Sequence, residues 1–338
     1  PIPVSVDYET REVSATVANN FTPVNGKLSF TPSRGTADRY LGKQDIEVPV
    51  KANAFIEGTK EFELVLAGVK QSYLVKPVGT AVIEDQQAVM KLVRTEKGIE
   101  GAKDILYELG LFKTDGTPLT NATGANIIVD GNYGEGTADA LDFDLGFTPR
   151  VIFANHAHKS SFIAKTLEDT RYELPKTVVV NFNRVHNLSG CNIGFEGELL
   201  SCSGIVEDQP AMLAISSLGD HRLNNNVVSG FFTLSIVRAS DGALQTNNTG
   251  SDIMVNCAVL PDASAKEGKD FVFTNLHDLR ISGDGNHSSA NVNGVVLYTT
   301  DATERQVKLN IKSVKQPAGA QPITVSTTQS AAEFIIRK

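Results

Sequence analysis

The 338-residue sequence contains no tryptophan, only three cysteines and three methionines, and 7% aromatic residues. Sixteen phenylalanines therefore have to supply most of the aromatic part of any core. No apolar stretch approaches the roughly 18 residues that a membrane-spanning helix needs, so we expect no membrane span. The net charge of −8 makes a broad nucleic-acid-binding surface unfavourable, because such a surface has to attract phosphates.

Catalytic motifs are also missing. The sequence has no G-x-S-x-G, no P-loop, no H-E-x-x-H and no G-x-G-x-x-G. We therefore expect a protein that is not an enzyme. The chain starts at Pro1 without an initiator methionine or a signal peptide, from which we expect either a removed leader or a piece of a longer protein.

The dominant pattern in the sequence is an alternation of apolar and polar residues at period two. It predicts half-buried strands. No long segment shows the 3.6-residue period of an amphipathic helix. Turn-rich clusters separate the predicted strands at short intervals, which favours antiparallel β-sandwiches. The clearest predicted strands are Lys27–Phe30, Gln44–Val50, Glu61–Leu66, Thr177–Phe182, Phe232–Val237 and Val307–Ile311.

Two internal repeats divide the chain. The segment I-E-D-Q ending at Gln86 recurs as V-E-D-Q ending at Gln209, at an offset of 123. A longer D-G-x-x-x-T-N-x-T-G segment after Thr114 recurs after Ser240, at an offset of 126. Because two segments give nearly the same period, we predict three units, at residues 1–86, 87–209 and 210–338. The first is shorter by about one strand pair at its front.

The first unit carries several motifs in a characteristic order. It reads V-S-V-D-Y-E-T from Val4, G-K-L-S-F ending at Phe30, E-F-E-L-V-L from Glu61 and V-I-E-D ending at Asp85. This series resembles the Calx-beta domain. The second unit matches the same pattern through Gly136-Thr137-Ala138, Asp142-Phe143 and Val206-Glu207-Asp208, and the third through Ala265–Phe271.

The resemblance implies the fold and its setting. The family is a seven-stranded immunoglobulin-like sandwich that occurs in tandem in surface adhesins, matrix proteins and ion exchangers. We accordingly expect an all-β chain of three tandem immunoglobulin-like antiparallel sandwiches. The first would lack its N-terminal strand, and the third would be divergent.

The resemblance also implies Ca²⁺ at one tip of a sandwich. In the second unit five acidic residues fall where the family places its ligands: Glu100, Asp142, Asp169, Glu173 and Asp208. Weaker sets are Glu57 and Asp85 in the first unit and Asp270 and Glu304 in the third. The first unit departs from the family at Asn20 and at Ala52-Asn53, where the family has acidic residues.

Carboxylates at close quarters repel one another unless a cation is present, and calcium prefers six to eight oxygen ligands. The alternative for the second unit is a set of solvated surface acids, or a structural salt bridge to Lys165 or Arg171.

Cys191 and Cys202 flank a short Gly-rich run that reads as a hairpin. Cross-strand cysteines can meet within the Cα–Cα limit of about 7 Å, so this pair is a disulfide candidate that would leave Cys257 alone. The alternative is three buried free thiols. N-x-S/T triplets also occur at Asn121, Asn187, Asn247 and Asn286, and those at Asn121 and Asn247 hold equivalent repeat positions.

Two classes of function remain. The first is a secreted or surface-exposed structural or adhesive array, such as a filament subunit, adhesin stalk or virion decoration. The second is a Ca²⁺-responsive regulatory or ligand-binding module of a larger protein. As partners we expect copies of the chain or other domains of the same large protein. A strand added beside Val4–Tyr8 would fill the place of the missing strand.

Overall fold

The computed structural model describes residues 3–31, 42–187, 190–222, 227–297 and 303–337. Within these ranges the chain consists of strands and turns and contains no helix. The all-β expectation is therefore confirmed. It follows that no helix in the described ranges is long and apolar enough to cross a membrane.

The first unit forms one antiparallel sheet in the order β2-β1-β4-β5. The predicted strands Lys27–Phe30 and Glu61–Leu66 lie inside β2 and β4. The prediction of a strand over Gln44–Val50 is wrong, because among the described residues this stretch makes a single bridge, from Val50 to Phe21. Its pairing is confined to the end of the stretch, where the Pro49 carbonyl accepts from the Thr22 amide at 2.8 Å. The strands are β1 (Val4–Glu12), β2 (Asn25–Phe30), β3 (Phe55–Ile56), β4 (Lys60–Lys70) and β5 (Val78–Ile83).

The second unit is a two-sheet sandwich around a buried apolar core. One sheet has the order β11-β10-β14-β16-β7 and the other β12-β8-β6-β15. Its strands are β6 (Ala88–Glu96), β7 (Gly98–Ile99), β8 (Ile105–Lys113), β9 (Thr120–Asn121), β10 (Ile127–Tyr133), β11 (Arg150–Phe153), β12 (Lys159–Ala164), β13 (Arg171–Tyr172), β14 (Lys176–His186), β15 (Ile193–Phe195) and β16 (Leu200–Glu207). Alternation along β14 buries Val178, Val180 and Phe182 in that core.

The third unit repeats this arrangement, with sheets β22-β24-β19-β17-β26 and β18-β27-β25-β21-β23. Its strands are β17 (Ala211–Ser217), β18 (His221–Arg222), β19 (Ser229–Arg238), β20 (Thr246–Asn247), β21 (Ile253–Val259), β22 (Phe271–Phe273), β23 (Leu279–Ile281), β24 (Ser289–Val296), β25 (Arg305–Lys315), β26 (Ile323–Val325) and β27 (Ala331–Arg337). Phenylalanines dominate its aromatic contacts, and Phe231, Phe232 and Phe334 pack together at ring-centroid distances of 4.8 and 5.3 Å.

The described part of the first unit differs from the other two at its start. In the second and third units two long strands, β6 with β8 and β17 with β19, precede the T-N segment and build a second sheet. The described part of the first unit begins instead at β1, which occupies the place of β10 and β21. The place predicted for an added strand is wrong: Val4–Tyr8 pairs with β2 on one side and β4 on the other, so it is not an edge.

Short parallel ladders join consecutive units. Phe55–Ile56 pairs with Thr120–Asn121, and Arg171–Tyr172 pairs with Thr246–Asn247. Ile56 is fully buried in the core of the second unit, and Tyr172 in that of the third. Each T-N segment thus pairs with the end of the preceding unit. One side chain of that preceding unit, Ile56 or Tyr172, is buried in the core of the following unit. Every sheet of four or five strands is built from strands of one predicted unit. The exact boundaries between the units stay predictions.

The asparagines of the repeated T-N segments have a shared structural role. Asn121 and Asn247 are fully buried. The Asn121 amide donates to the carbonyl oxygens of Ala125 and Phe153 at 2.9 and 3.0 Å. The Asn247 amide donates to those of Ser251 and Ile281, both at 2.9 Å. Because these side chains are buried and hydrogen-bonded, we interpret the two matching N-x-T triplets as loop braces rather than glycan acceptors.

Replacing Asn247 with alanine is expected to lower the free energy of unfolding by about 2 kcal/mol, because buried carbonyl groups lose their donor. Asn286→Ala is the matched control, since Asn286 is exposed; it is expected to change stability by less than about 0.5 kcal/mol. Urea unfolding of both variants measures the difference. Equal losses in the two would contradict the brace role.

The cysteine prediction is wrong in its geometry. Cys191 and Cys202 are free thiols, and so is Cys257; all three are buried. The run between the first two is not a hairpin: β15 pairs with β6 in one sheet and β16 with β14 in the other. The segment therefore crosses the sandwich. Burial raises the pKa of Cys202 to about 11, which keeps its thiol protonated and unreactive at neutral pH.

Candidate metal centre

Five carboxylates meet at the end of the second sandwich that faces the third unit. Each lies at a strand end or in a loop, outside the alternating pattern that fills the apolar core. Glu100 follows β7, Asp169 and Glu173 flank β13, and Asp208 follows β16. Asp142 lies in the turn between β10 and β11. The structure thus brings together all five acidic residues predicted for the second unit.

Their oxygen atoms form two overlapping groups that share Glu100. One group is Glu100, Asp142 and Glu173, and the other is Glu100, Asp169 and Asp208; within each, one ligand oxygen per residue lies within 4.8 Å of the others. Asp142 is fully buried, and Glu100, Glu173 and Asp208 are 3–5% exposed. The alternative of solvated surface acids is therefore wrong for these four.

Backbone donors fix several of the carboxylates in place. Asp169 Oδ1 accepts from the Arg171 amide at 2.7 Å, which shapes the turn before β13. Asp142 Oδ2 accepts from the Asp139 amide at 2.5 Å. Asp208 Oδ2 accepts from the Glu173 amide. These bonds hold the side chains against one another before any ligand arrives, so the site is preorganised.

Two basic side chains lie on one side of the cluster. Lys176 Nζ is 2.9 Å from Asp142 Oδ1 and also contacts Glu173 Oε2. Arg171 Nη1 is 3.7 Å from Glu173 Oε1, and Arg171 Nε is 3.7 Å from Asp169 Oδ2. Two salt-bridge partners were considered from the sequence. Arg171 forms ion pairs with the cluster, whereas Lys165 forms none within the described residues. Five carboxylates thus face two cations.

Glu100, Asp169 and Asp208 are the carboxyl groups with the least compensation from basic side chains. No lysine or arginine in the described ranges lies within 4.0 Å of the Glu100 or Asp208 carboxylate. Asp169 Oδ2 is buried without a hydrogen-bond donor, and its side chain is 9% exposed. Buried oxygens of this kind are costly unless a cation or a proton compensates them.

Protonation supplies that compensation when no cation is bound. Burial, reinforced by the neighbouring Asp208 and Asp169, raises the pKa of Glu100 to about 10. Burial raises the pKa of Asp208 to about 7. Burial also raises the pKa values of Asp169 and Glu173. At neutral pH the cluster therefore holds protons that a metal ion would have to displace.

The first unit has a related tip with different chemistry. Glu57 Oε1 accepts from the amides of Asn20 and Asn53, both at 2.6 Å. Asp85 Oδ2 accepts from the Glu57 backbone N–H at 2.8 Å, just as Asp208 does from that of Glu173. Glu57 and Asp85 thus reach the same tip, but side-chain amides take the place of further carboxylates. Neither residue belongs to a metal-ligating group among the described residues.

The pair predicted for the third unit does not form a site. Asp270 is 1% exposed, and the Arg305 guanidinium lies 2.7 and 2.8 Å from its two oxygens. Glu304 points elsewhere, with a 58% exposed side chain and an ion pair to Arg337 at 2.9 Å. The prediction is wrong here because the two residues have different partners: Asp270 is paired with Arg305, and Glu304 with Arg337.

Sequence reasoning missed three residues that shape the second-unit site. Lys176 starts β14, at the place where Lys60 and Arg305 start β4 and β25, so the repeat alignment contained a signal. Asn248 of the third unit donates its side-chain amide to Glu173 Oε1. Arg238, 5% exposed, donates to the Asp169 carbonyl. The last two come from the next unit, and no local pattern connects them to the site.

No protein-family model matches the sequence, and no curated protein matches it either. Among solved structures, CBD12 from CALX1.2 is 12% identical, covering 74% of this chain and 100% of its own, with a TM-score of 0.29. Invasin, a bacterial integrin-binding protein, is 14% identical, covering 96% of this chain and 54% of its own, with a TM-score of 0.34. Human CDH23 EC21-23 is 12% identical; the match covers 97% of this chain and 88% of the CDH23 chain, with a TM-score of 0.28. At these values the Calx-beta family remains a resemblance.

Proposed function

We propose that this chain is a non-enzymatic structural or adhesive protein, secreted or surface-exposed, whose second and third units are held together with the help of Ca²⁺. The observation that carries the proposal is the cluster of five buried or nearly buried carboxylates, which face two basic side chains among the described residues. Calcium takes several carboxylate and carbonyl oxygens in a flexible geometry, which this donor set offers.

Of the two oxygen groups, the one formed by Glu100, Asp169 and Asp208 suits the ion better. Lys176 already contacts Asp142 and Glu173, so a second positive charge there would meet repulsion. Asp169 Oδ2, which lacks a hydrogen-bond donor, lies in the group that Lys176 does not touch. We therefore place the ion with Glu100, Asp169 and Asp208.

The loop that carries two of the carboxylates is also the contact with the third unit. The Thr170 carbonyl accepts from the Thr246 amide at 2.8 Å, and the Tyr172 carbonyl accepts from the Asn248 amide at 2.9 Å. Gln245 Nε2 donates to the Arg171 carbonyl at 3.1 Å. An ion that orders residues 169–173 would therefore order the contact between the units as well. In a tandem array, an ordered contact between neighbouring units would make the chain stiffer.

The second candidate is a Ca²⁺-responsive regulatory or ligand-binding module of a larger protein. The observation that favours it is the pKa of Asp208, which is raised to about 7 by burial. Cation binding would then respond to small changes of pH as well as to calcium. The two functions share the site and differ in whether ligand binding elsewhere changes when the ion binds.

Calorimetric titration of the whole chain with CaCl₂ tests the proposal. We expect one saturable site in the second unit and a higher melting temperature with Ca²⁺ than with EDTA, because an ion bound only by the folded state stabilises it. Asp169→Asn is expected to weaken binding on the order of tenfold, since affinity depends on the number of charged ligands.

Glu57→Gln is the matched control, because Glu57 holds the equivalent place in the first unit and already accepts two amide donors. It is expected to leave calcium binding unchanged. The absence of binding heat together with identical melting curves in Ca²⁺ and EDTA would overturn the proposal.

A further inference from the structure

One lysine at the tip of the second unit contacts two carboxyl groups. Lys176, the first residue of β14, places Nζ 2.9 Å from Asp142 Oδ1 and 3.2 Å from Asp142 Oδ2. It also contacts Glu173 Oε2. Asp142 is fully buried, Glu173 is 3% exposed, and the Lys176 side chain is 18% exposed. An amine that touches one carboxyl group next to a second one has the parts needed to form an amide bond.

The geometry places the amine for attack on Asp142. Because Lys176 Nζ contacts both oxygens, it lies within roughly 3.5 Å of the carboxyl carbon between them, the distance of a near-attack arrangement. The Asp139 amide donates to Oδ2 at 2.5 Å, which fixes the carboxyl group and favours negative charge on that oxygen. Oδ2 is thus held in place, and Oδ1 is the oxygen that can leave.

Glu173 is placed to carry the proton. Its Oε1 accepts from the Asn248 side-chain amide, which orients the carboxylate from the third unit. Its Oε2 lies against Lys176 Nζ and, among the described residues, accepts no hydrogen bond from another group. Ligand oxygens of Glu173 and Asp142 lie within 4.8 Å of each other. A proton taken from the amine can therefore be passed on to Asp142.

Burial favours condensation over a lasting ion pair. Taking two charges out of water costs free energy, and a neutral amide removes both charges. Exclusion of water also protects an amide from hydrolysis. Lys308 and Asp262 provide the contrast: Lys308 Nζ is 2.6 Å from Asp262 Oδ2, but the Asp262 side chain is 63% exposed, so water solvates the charges. There we expect an ordinary ion pair.

The tips of the other units differ at this position. In the third unit Arg305 starts β25 and holds Asp270, and a guanidinium is a poor nucleophile because it stays protonated. In the first unit Lys60 starts β4, but it forms no hydrogen bond to Asn20 among the described residues. The second tip thus combines a lysine, a carboxyl group in contact with it and a proton carrier.

We propose that Lys176 and Asp142 condense into an isopeptide bond, with Glu173 as the catalytic residue. The Lys176 ammonium gives one proton to Asp142 Oδ1, which leaves an amine beside a carboxylic acid. The amine nitrogen forms a bond to the Asp142 carboxyl carbon, and Glu173 takes a proton from that nitrogen. Glu173 returns the proton to Oδ1, the bond between Oδ1 and the carbon breaks, and one water molecule leaves. Atoms and charges balance without a cofactor, and each chain reacts once.

The bond would close a covalent loop over residues 142–176. This loop contains β11, β12 and β13, and with them the segment 169–173 that contacts the third unit. Because a cross-link restricts the unfolded chain, it would stabilise the second unit. The bond uses Asp142 and leaves the proposed calcium ligands untouched, so it goes beyond the proposed function and does not depend on calcium.

Mass spectrometry of the whole chain, purified and denatured in EDTA, tests the proposal. We expect a mass lower than that of the sequence by one water molecule. Trypsin is expected to leave residues 114–150 joined to residues 172–184, because a lysine in amide linkage is not cleaved. Lys176→Arg is expected to restore the full mass, and Arg305 in the third unit shows that arginine fits this place.

Glu173→Gln is expected to leave most chains at full mass, since glutamine cannot carry the proton. Lys308→Arg is the matched control and is expected to retain the loss of one water, because Lys308 contacts an exposed carboxylate. Circular dichroism checks that each variant folds. Full mass in the unaltered chain would overturn the proposal whatever the variants do. A loss of water that persists in Lys176→Arg would also overturn it, because the dehydration would then lie elsewhere. Because no calcium is present, failure here is distinct from failure of the calcium site.

Discussion

Replacing Arg305 with methionine is expected to lower the free energy of unfolding of the third unit by about 3–5 kcal/mol, the usual cost of leaving one partner of a buried ion pair alone. Asp270 is 1% exposed, and both its oxygens lie within 2.8 Å of the Arg305 guanidinium. Without the arginine, the carboxylate would have to take up a proton or remain buried with its charge. Urea unfolding followed by circular dichroism measures the loss.

Two further variants separate the ion pair from general damage. Arg337→Met removes an arginine whose side chain is 46% exposed and is expected to cost less than about 1 kcal/mol. Adding Asp270→Asn to Arg305→Met is expected to recover part of the loss, because the asparagine oxygen still accepts from the Lys266 amide. A double variant as unstable as the single one would show that the packing of Arg305, and not its charge, holds the unit.

One position explains why the three tips differ. Asn20, Asp142 and Asp270 each accept a hydrogen bond from a backbone amide three or four residues earlier, at 2.8, 2.5 and 2.7 Å. The first tip sets side-chain amides and Lys60 beside Glu57, the third sets an arginine beside Asp270, and the second sets one lysine and one arginine against five carboxylates. The second tip therefore has the largest excess of carboxylates, which is why the proposed cation is placed there and not at the other two.

Much of the fold and of the acidic cluster could be predicted from the sequence. Strands with an uninterrupted period of two, such as Thr177–Phe182, are found as predicted because alternation is fixed by the pleat. The convergence of Glu100, Asp142, Asp169, Glu173 and Asp208 followed from the family resemblance, which places strand ends at one tip. The strand predicted over Gln44–Val50 is not found, because alternation alone does not supply a neighbouring strand: among the described residues this stretch pairs only at its end, through Val50 and Phe21.

The rest depends on contacts that sequence spacing does not encode. Cys191 and Cys202 look like hairpin partners at a separation of eleven residues, yet the chain between them crosses from one sheet to the other. The contact of Asn248 with Glu173 joins two units. Val4–Tyr8 looked like an exposed edge because the missing strand was assumed to lie beside it. The opening strands of the second and third units belong to the opposite sheet, so no counterpart of them would lie beside Val4–Tyr8.

Calcium affinity is expected to rise steeply with pH, on the order of tenfold per pH unit for each proton that the ion displaces. Burial raises the pKa of Glu100 to about 10 and that of Asp208 to about 7, so both carboxyls hold protons more tightly in the folded chain than in the unfolded one. Without calcium the folded state therefore loses stability as the pH rises above the ordinary carboxyl range and through 7. The ion removes this cost because it takes the place of the protons.

Calorimetric titrations at pH 6, 7 and 8, each in two buffers of different ionisation enthalpy, give both the affinity and the number of protons released. The calcium-induced rise in melting temperature is expected to be larger at pH 8 than at pH 6, when the same scans are run against EDTA. Glu100→Gln removes one titrating group together with one ligand, so it is expected to bind calcium more weakly and with a shallower pH dependence. A dissociation constant that is the same at pH 6 and pH 8 would mean that the ion does not compete with the protons of Glu100 and Asp208, and would place it elsewhere in the cluster.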